Sequence, residues 1–271
     1  MNQPTVCAVM LTADRPELAR RAVECFRRQT YPRARLCVFD TGLTPALPES
    51  RDIRVGIFHS PSSAGKTIGE LRNLVAKATS GTESGNNPAP PDIFVHFDDD
   101  DWSHPNRIAE QVALLQSSGA DCVGYREMLF SRRMVSRMMC DSFGGEGPDG
   151  RIEVDRYEAW LYRNPNPGYT LGTSLCYWRR TWERKPFPAT NVGEDLQFCT
   201  GLKCFGVSSL SGHHLSNSGF MATTGLDPRM IARIHAGNTS TAYDPAKLAK
   251  NSEWKRAPEW DAHCRSVMEA A

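Results

Sequence analysis

The sequence predicts an α/β protein with a mostly parallel central sheet flanked by helices and a mixed α+β second half. Three observations predict it. Apolar strand-like runs alternate with amphipathic helical stretches from residue 5 to about residue 125, the pattern of a doubly wound parallel sheet. Acidic residues stand at the carboxyl ends of three of those strands, at Asp14, Asp40 and Asp98 to Asp101, where such sheets bind their ligands. Beyond residue 125 the alternation gives way to short strand-like pieces, turn clusters and many aromatics.

Thr5 to Leu11 is an apolar run that reads as the first strand. Thr12-Ala13-Asp14-Arg15-Pro16 follows as a turn, with Pro16 at a first helical position, where its missing N–H costs nothing. Leu18, Ala22, Cys25 and Phe26 then recur at helical spacing. Leu36 to Phe39 is the second strand, ending in Asp40-Thr41-Gly42, and Ile53 to Phe58 the third. Thr67 to Thr79 forms a helix with Leu71, Leu74, Val75 and Ala78 on one face. Ser80 to Pro91, rich in Gly, Asn and Pro, reads as an exposed loop.

Asp92 to Phe97 is the fourth strand. A helix from Pro105 to about Ser118 carries Ile108, Val112 and Leu115, and Gly119 stops it. Asp121 to Tyr125 is the fifth strand. Glu127 to Tyr177, with the turn cluster Gly144-Gly145-Glu146-Gly147-Pro148, reads as mixed structure built onto the same sheet. Asp244 to Ala271 is polar with a weak helical pattern and is expected as a tail or helix. The chain thus divides into residues 1–125, 126–243 and 244–271.

Composition narrows the classes. A chain of 271 residues with 40% hydrophobic content fits one large domain. A net charge of +1 gives no electrostatic case for a nucleic-acid surface. No apolar run reaches the ~20 residues of a membrane helix. Met1 to Leu11 lacks a basic segment followed by an apolar one, so no signal peptide is expected. Nine cysteines are scattered without a C-x-x-C pair, several in apolar contexts such as Cys7, Cys25, Cys37 and Cys122. Buried, reduced thiols in a cytoplasmic protein are the expectation.

The most informative stretch is His96-Phe97-Asp98-Asp99-Asp100-Asp101-Trp102, directly after the apolar Ile93-Phe94-Val95. Adjacent carboxylates repel one another unless a cation sits among them. Hard divalent ions such as Mg²⁺ and Mn²⁺ prefer oxygen ligands. The run is therefore a candidate metal and diphosphate site, and equally an acidic turn before the helix near Pro105.

A different nucleotide site competes. Ser60-Pro61-Ser62-Ser63-Ala64-Gly65-Lys66-Thr67 nearly matches the P-loop pattern G-x-x-x-x-G-K-T between a strand and a helix. Ser60 stands where the first glycine belongs, however, and the segment follows the third strand rather than the first.

Several motifs in order give the chain a family likeness. Ala8-Val9-Met10-Leu11-Thr12-Ala13-Asp14-Arg15-Pro16-Glu17-Leu18 looks like the opening strand and turn of the family-2 glycosyltransferases of the GT-A (Rossmann-like) fold, which usually have Asn at the position of Asp14. Gln29-Thr30-Tyr31-Pro32 resembles their Q-T-Y-P stretch, and Val38-Phe39-Asp40-Thr41-Gly42 their V-D-D-G segment with Thr41 replacing the second Asp. Gly65-Lys66 and Arg72-Asn73 match the G…R-N helix, Phe97 to Trp102 the DxD-type donor motif, and Glu194-Asp195 the later E-D motif. His235-x-x-Asn238-Thr239-Ser240 resembles a terminal H-x-x-N-T-S. The likeness spans roughly residues 5 to 240.

The resemblance implies transfer of a sugar from a nucleotide diphosphate sugar, with UDP the family habit, to an acceptor hydroxyl. Residues 1–125 would bind the donor, and 126–243 would hold the acceptor side and the base. Such chemistry needs charge neutralisation on the departing diphosphate and a base for the acceptor hydroxyl. Alternate strand-end residues point the same way, so Asp98 and Asp100 can face one Mn²⁺ or Mg²⁺ ion together. By resemblance Asp100 binds the metal directly and Asp98 touches ribose or metal-bound water. Asp101 binds metal or caps the next helix.

Asp195 would be the base, its pKa lifted by Glu194; alternatively the pair simply starts a helix. His235 would be the third metal ligand, with His213 and His214 as rivals. Thr12, Asp14 and Asp40 would line the nucleoside pocket beside Asp98 and Asp99, while Lys66 and Arg72 would balance the phosphates. Asp14 and Asp40 also suit plain turn chemistry. Trp160, Tyr162, Trp178 and Trp182 are candidates to stack on an acceptor, against the commoner fate of core packing. One acidic base without an evident enzymic nucleophile suggests a single inverting displacement. The alternatives are a P-loop-like nucleotide-hydrolysing or phosphotransfer enzyme, a nucleotidyltransferase, and a nucleotide-sugar-binding protein without turnover.

Overall fold

A computed structural model describes residues 3–81, 89–139, 151–216, 219–222, 226–235, 248 and 250–270. The first half is built as the apolar periodicity dictates. Strands β1 (Val6–Thr12), β2 (Ala34–Asp40) and β3 (Val55–His59) pair in parallel, and β4 (Ile93–His96) pairs in parallel with the other side of β1. Their alternate side chains feed two separate cores, as a period of two requires. Val6, Ala8, Met10, Leu36, Val38 and Val95 face helices α1 (Pro16–Arg27) and α3 (Arg107–Ser118). Cys7, Val9, Cys37 and Phe94 face the opposite layer, which includes Val75 and Ala76 of α2 (Ile68–Ser80).

Local signals fix the ends of these helices. Pro16 begins α1. Thr67 and Glu70 form a reciprocal capping box at the start of α2, satisfying two otherwise orphaned N–H groups. Gly119, at φ +58°, ends α3 in the left-handed conformation that glycine adopts without a Cβ penalty.

After β4 the chain runs through the two-residue β5 (Trp102–Ser103) and α3 into β6 (Cys122–Met139). Strand β6 pairs antiparallel with β7 (Arg151–Arg163) from Glu127↔Arg163 to Met139↔Arg151. The short pieces expected over Glu127 to Tyr177 are thus largely two long strands, while the Gly144 to Pro148 cluster lies outside the described residues. Strand β8 (Cys176–Trp178) fits antiparallel between β4 and β6 and joins the two halves into one sheet. Helices α4 (Arg179–Arg184) and α5 (Glu194–Cys199) follow, then β9 (Cys204–Ser208) in parallel with β6.

Strands β10 (His213–Ser216) and β11 (Gly219–Ala222) form a separate hairpin. Strand β12 (Met230–Ile234) lies parallel to β6 and antiparallel to β5. The last residues are not a detached tail. Strand β13 (Trp254–Arg256) extends the sheet beside β7, and α6 (Asp261–Ala270) buries Cys264 and Met268. Arg21 of α1 donates to the Met268 carbonyl at 3.1 Å, tying the last helix to the first.

The result is a mixed α/β fold with one central sheet ordered β13-β7-β6-β8-β4-β1-β2-β3 and helices against it. The chain runs outward from β1 to β3 and returns on the far side of β1 at β4. Ligands of open α/β sheets bind beyond the strand ends at such a reversal. Here Thr12 ends β1, and the acidic run follows β4. No helix among the described residues is long and apolar enough to cross a membrane.

Candidate active site

A cleft of about 580 Å³ opens at this reversal. Thr12, Arg72, Asp98 to Asp101, Glu194 and Asp195 line it, residues drawn from both halves of the chain.

The four aspartates lie in the turn between β4 and β5 and fan out to different partners. Asp98 faces Arg72, with Oδ1 3.6 Å from Nη2. Asp99 accepts from the Thr12 hydroxyl at 2.7 Å and from Arg15 at 3.2 Å. Asp100 Oδ2 meets His235 Nε2 at 2.8 Å and Arg15 at 3.6 Å. Asp101 accepts from the Thr173 hydroxyl and from the Arg233 backbone N–H. Strand β12 explains the reach of His235. Its pairing with β5 (Ile231↔Trp102) carries the chain back past the acidic turn.

So many carboxylates in one pocket carry unrelieved repulsion. Burial and the Asp100 charge push Asp99 up to about 6. Burial raises Asp98 against the pull of Arg72, with Asp100 adding to the rise. Asp101 is raised well above the usual carboxylate range by burial, then by Asp100 and Asp98. Carboxylate oxygens beside an imidazole suit Mn²⁺ or Mg²⁺, and a dication would relieve this repulsion. The donor types suit such an ion, although no three of their ligand atoms converge as placed. Of the three expected ligands Asp100 and His235 are in contact, while Asp98 turns toward Arg72.

The Glu194–Asp195 pair opens α5 after Gly193, which holds φ +75°. The loop before it is fastened to the start of α2. Ile68 N–H donates to Asn191 Oδ1 at 3.0 Å, and a Cβ on Gly69 would lie 1.8 Å from the Pro188 oxygen. Asp195 accepts from the Tyr169 hydroxyl on Oδ2 and from Leu196 N–H on Oδ1 at 2.8 Å. Gly172 makes room for it, since a Cβ there would lie 2.2 Å from Asp195 Oδ2. Burial pushes Glu194 up to about 7, although Arg72 opposes the shift. Arg72 is buried, and its Nε and Nη1 have no hydrogen-bond partner among the described residues.

Several expected positions do not join the cleft. Asp40 is fully buried and accepts from Gly42 N–H at 2.9 Å and Ala46 N–H at 2.7 Å. These bonds organise the loop after β2. Exposed Asp14, at φ +53°, accepts from Leu43 N–H at 2.9 Å and ties two loops together. The left-handed backbone suits the Asn that the resemblance led one to expect there. Lys66 is exposed and away from the cleft lining. The side chains of His213 and His214, and residues Asn238 to Ser240, lie outside the described set.

The near P-loop is built differently. Thr67 gives its hydroxyl and N–H to the Glu70 carboxylate at 2.8 Å each. That places a negative charge at the helix start where a P-loop would seat phosphate.

Of the four aromatic candidates only Tyr162 lines the cleft. Trp182 donates to Asn73 Oδ1 at 2.9 Å, Trp178 lies under Arg180, and Trp160 is core. Tyr162 is joined instead by Phe130 and Trp254, and the Phe130 and Tyr162 ring centroids each lie 4.7 Å from that of Trp254. Sequence reasoning missed Arg15, Tyr169, Thr173, Arg233 and Trp254. Arg15 stood beside a candidate and was legible. The others act through tertiary contacts without a local motif.

No protein-family model matches the chain, and no curated protein matches it. Solved structures do. Over 100% of its length the chain resembles the mannosyltransferase PcManGT from Pyrobaculum calidifontis in complex with GDP-Man and Mn²⁺, at 12% identity, TM-score 0.52 and 71% of that chain. Over 90% of its length it resembles S. aureus TarS 1-349 in complex with UDP-GlcNAc, at 13% identity and TM-score 0.54. It spans 64% of that TarS chain. The chain therefore shares the fold of these two proteins, one solved with GDP-Man and Mn²⁺ and the other with UDP-GlcNAc.

Proposed function

We propose that the protein is a metal-dependent glycosyltransferase that moves a sugar from a nucleotide diphosphate sugar, UDP-linked in the first instance, to an acceptor hydroxyl. The observation that carries this reading is the meeting of the acidic run and the Glu194–Asp195 pair around one cleft, with His235 against Asp100. A cavity of about 580 Å³ suits a small-molecule ligand.

Thr12 and Asp99 would face the nucleoside. Arg72, with two guanidinium nitrogens lacking hydrogen-bond partners among the described residues, would take diphosphate oxygens, since its planar fork matches them. Asp100 and His235 would hold Mn²⁺ or Mg²⁺, with Asp98 close by. A bound dication there would neutralise the departing diphosphate.

Asp195 would accept the acceptor's proton as the acceptor oxygen bonds to the anomeric carbon and the bond to the diphosphate oxygen breaks. Attack opposite the leaving group inverts the anomeric centre. Tyr169 orients Asp195 through its hydroxyl, a positioning role. The aromatic wall of Phe130, Tyr162 and Trp254 suits the apolar face of a sugar ring on the acceptor side.

The test is a panel of UDP- and GDP-sugars, each with and without Mn²⁺, read by melting temperature and by release of nucleoside diphosphate. A ligand that binds only the folded state raises the melting temperature. The expected result is a metal-dependent rise with one donor and metal-dependent release of its diphosphate. A flat response to every donor would overturn the reading.

A further inference from the structure

One turn along α5 from Asp195, three thiols converge. Among the described residues Cys122, Cys199 and Cys204 are the one group of three cysteine, histidine or acidic side chains whose ligand atoms all lie within 4.8 Å of one another. The fold assembles them by two independent devices. Cys122 opens β6 and Cys204 opens β9, and the two are direct partners in the parallel register, so their side chains share a face. Cys199 ends α5, and a tight turn carries the chain from it to Cys204. In that turn Leu202 N–H donates to the Cys199 oxygen at 2.9 Å, and Gly201 takes φ +77°.

Cysteine often serves as a small core hydrophobe, and Cys7 and Cys37 do so in the same layer. The trio differs in its convergence and in its access. Cys122 and Cys199 are buried, but Cys204 is only half-buried. A metal–sulfur bond of about 2.3 Å implies sulfurs about 3.8 Å apart around a tetrahedral ion, so small side-chain movements close the trio. Cations stand close by. Lys185 donates to the carbonyl of Thr200, next to Cys199, while Lys203, beside Cys204 in sequence, donates to the Ser118 carbonyl at 3.1 Å. Lys185 would offset part of the negative charge of three thiolates around a dication.

We propose that Cys122, Cys199 and Cys204 form a second metal site, for a thiophilic dication of the Zn²⁺ class, with water reaching the fourth position past Cys204. Each thiol passes its proton to solvent as its sulfur bonds the ion. The site ties the end of α5 to β6 and β9, and so braces the helix that begins with Glu194 and Asp195. It is distinct from the cleft and stands whether or not the transferase reading does.

Co²⁺ serves as the probe, because sulfur coordination gives a near-ultraviolet charge-transfer absorption that carboxylate and imidazole ligands in the cleft do not. The full-length reduced chain is titrated anaerobically with Co²⁺ and then with Zn²⁺. The expected result is absorption that saturates at one equivalent and is displaced by Zn²⁺. It is lost in Cys204→Ser and Cys199→Ser and kept in Cys37→Ser. Absence of the band in the wild-type chain overturns the proposal, as does its survival in Cys204→Ser. Should Cys199→Ser fail to fold by circular dichroism, the wild-type titration and the half-buried Cys204→Ser still decide.

Discussion

His235 Nε2 sits 2.8 Å from Asp100 Oδ2, across 135 residues of sequence. The β5–β12 pairing makes that contact, and it joins the strand-end acidic turn to the far end of the chain. Asp100→Ala should abolish the Mn²⁺-dependent part of donor binding, and His235→Ala should weaken Mn²⁺ at least about tenfold. Calorimetric titration of donor with and without Mn²⁺ checks both. Unchanged metal dependence in Asp100→Ala would remove the metal from this site.

Asp195→Asn should keep donor binding and lose transfer by about 10² to 10⁴-fold, the usual worth of a positioned base. Single-turnover assays separate the two. Full activity in the variant would mean another group takes the proton.

A methyl group at position 172 has nowhere to go, because Asp195 Oδ2 would lie 2.2 Å away. Gly172→Ala should displace Asp195 and cost about 1–3 kcal/mol, seen as a lowered urea midpoint. Transfer should fall further than donor affinity does.

Arg72 and Lys66 make a paired test of which cation meets the diphosphate. Arg72→Ala should raise the donor Kd at least about tenfold, while the exposed Lys66→Ala leaves it unchanged. Equal effects would mean that the loop before α2 closes onto the donor.

Burial holds the folded-state pKa of Glu194 at about 7, above the ordinary 4.5. A carboxyl raised on folding contributes stability that is fully present below its unfolded pKa. That contribution is lost as pH rises from about 4.5 through 7. Glu194→Gln cannot ionise, so its urea midpoint relative to wild type should climb across that window and then level off. A difference that stays flat with pH would place Glu194 in a more solvated setting.

The first half of the fold was legible because its physics is local. A period of two in β1 and β2, the capping signals of α2 and the stop at Gly119 depend on neighbours in sequence. The acidic run was legible for the same reason, as a charge cluster behind an apolar strand. What each aspartate touches was not. Strand alternation led Asp98 and Asp100 to be paired, but the run lies beyond the end of β4, and the turn sends them to Arg72 and His235. Asp40 is a related case. A carboxylate at a strand end serves a ligand or its own loop equally well by sequence, and its contacts with the N–H groups of Gly42 and Ala46 come from how the loop after β2 folds back. Trp254 was hidden in a stretch whose polarity reflects one face alone.

Trp254 and the helix behind it bear on how the molecule comes into being. Thr12 and the acidic run leave the ribosome early, but a chain released after residue 225 would carry them without His235 or the aromatic wall of Trp254. A product of synthesis cut short there would therefore hold the carboxylate cluster without the histidine that meets Asp100 or the Trp254 ring that packs on Phe130 and Tyr162.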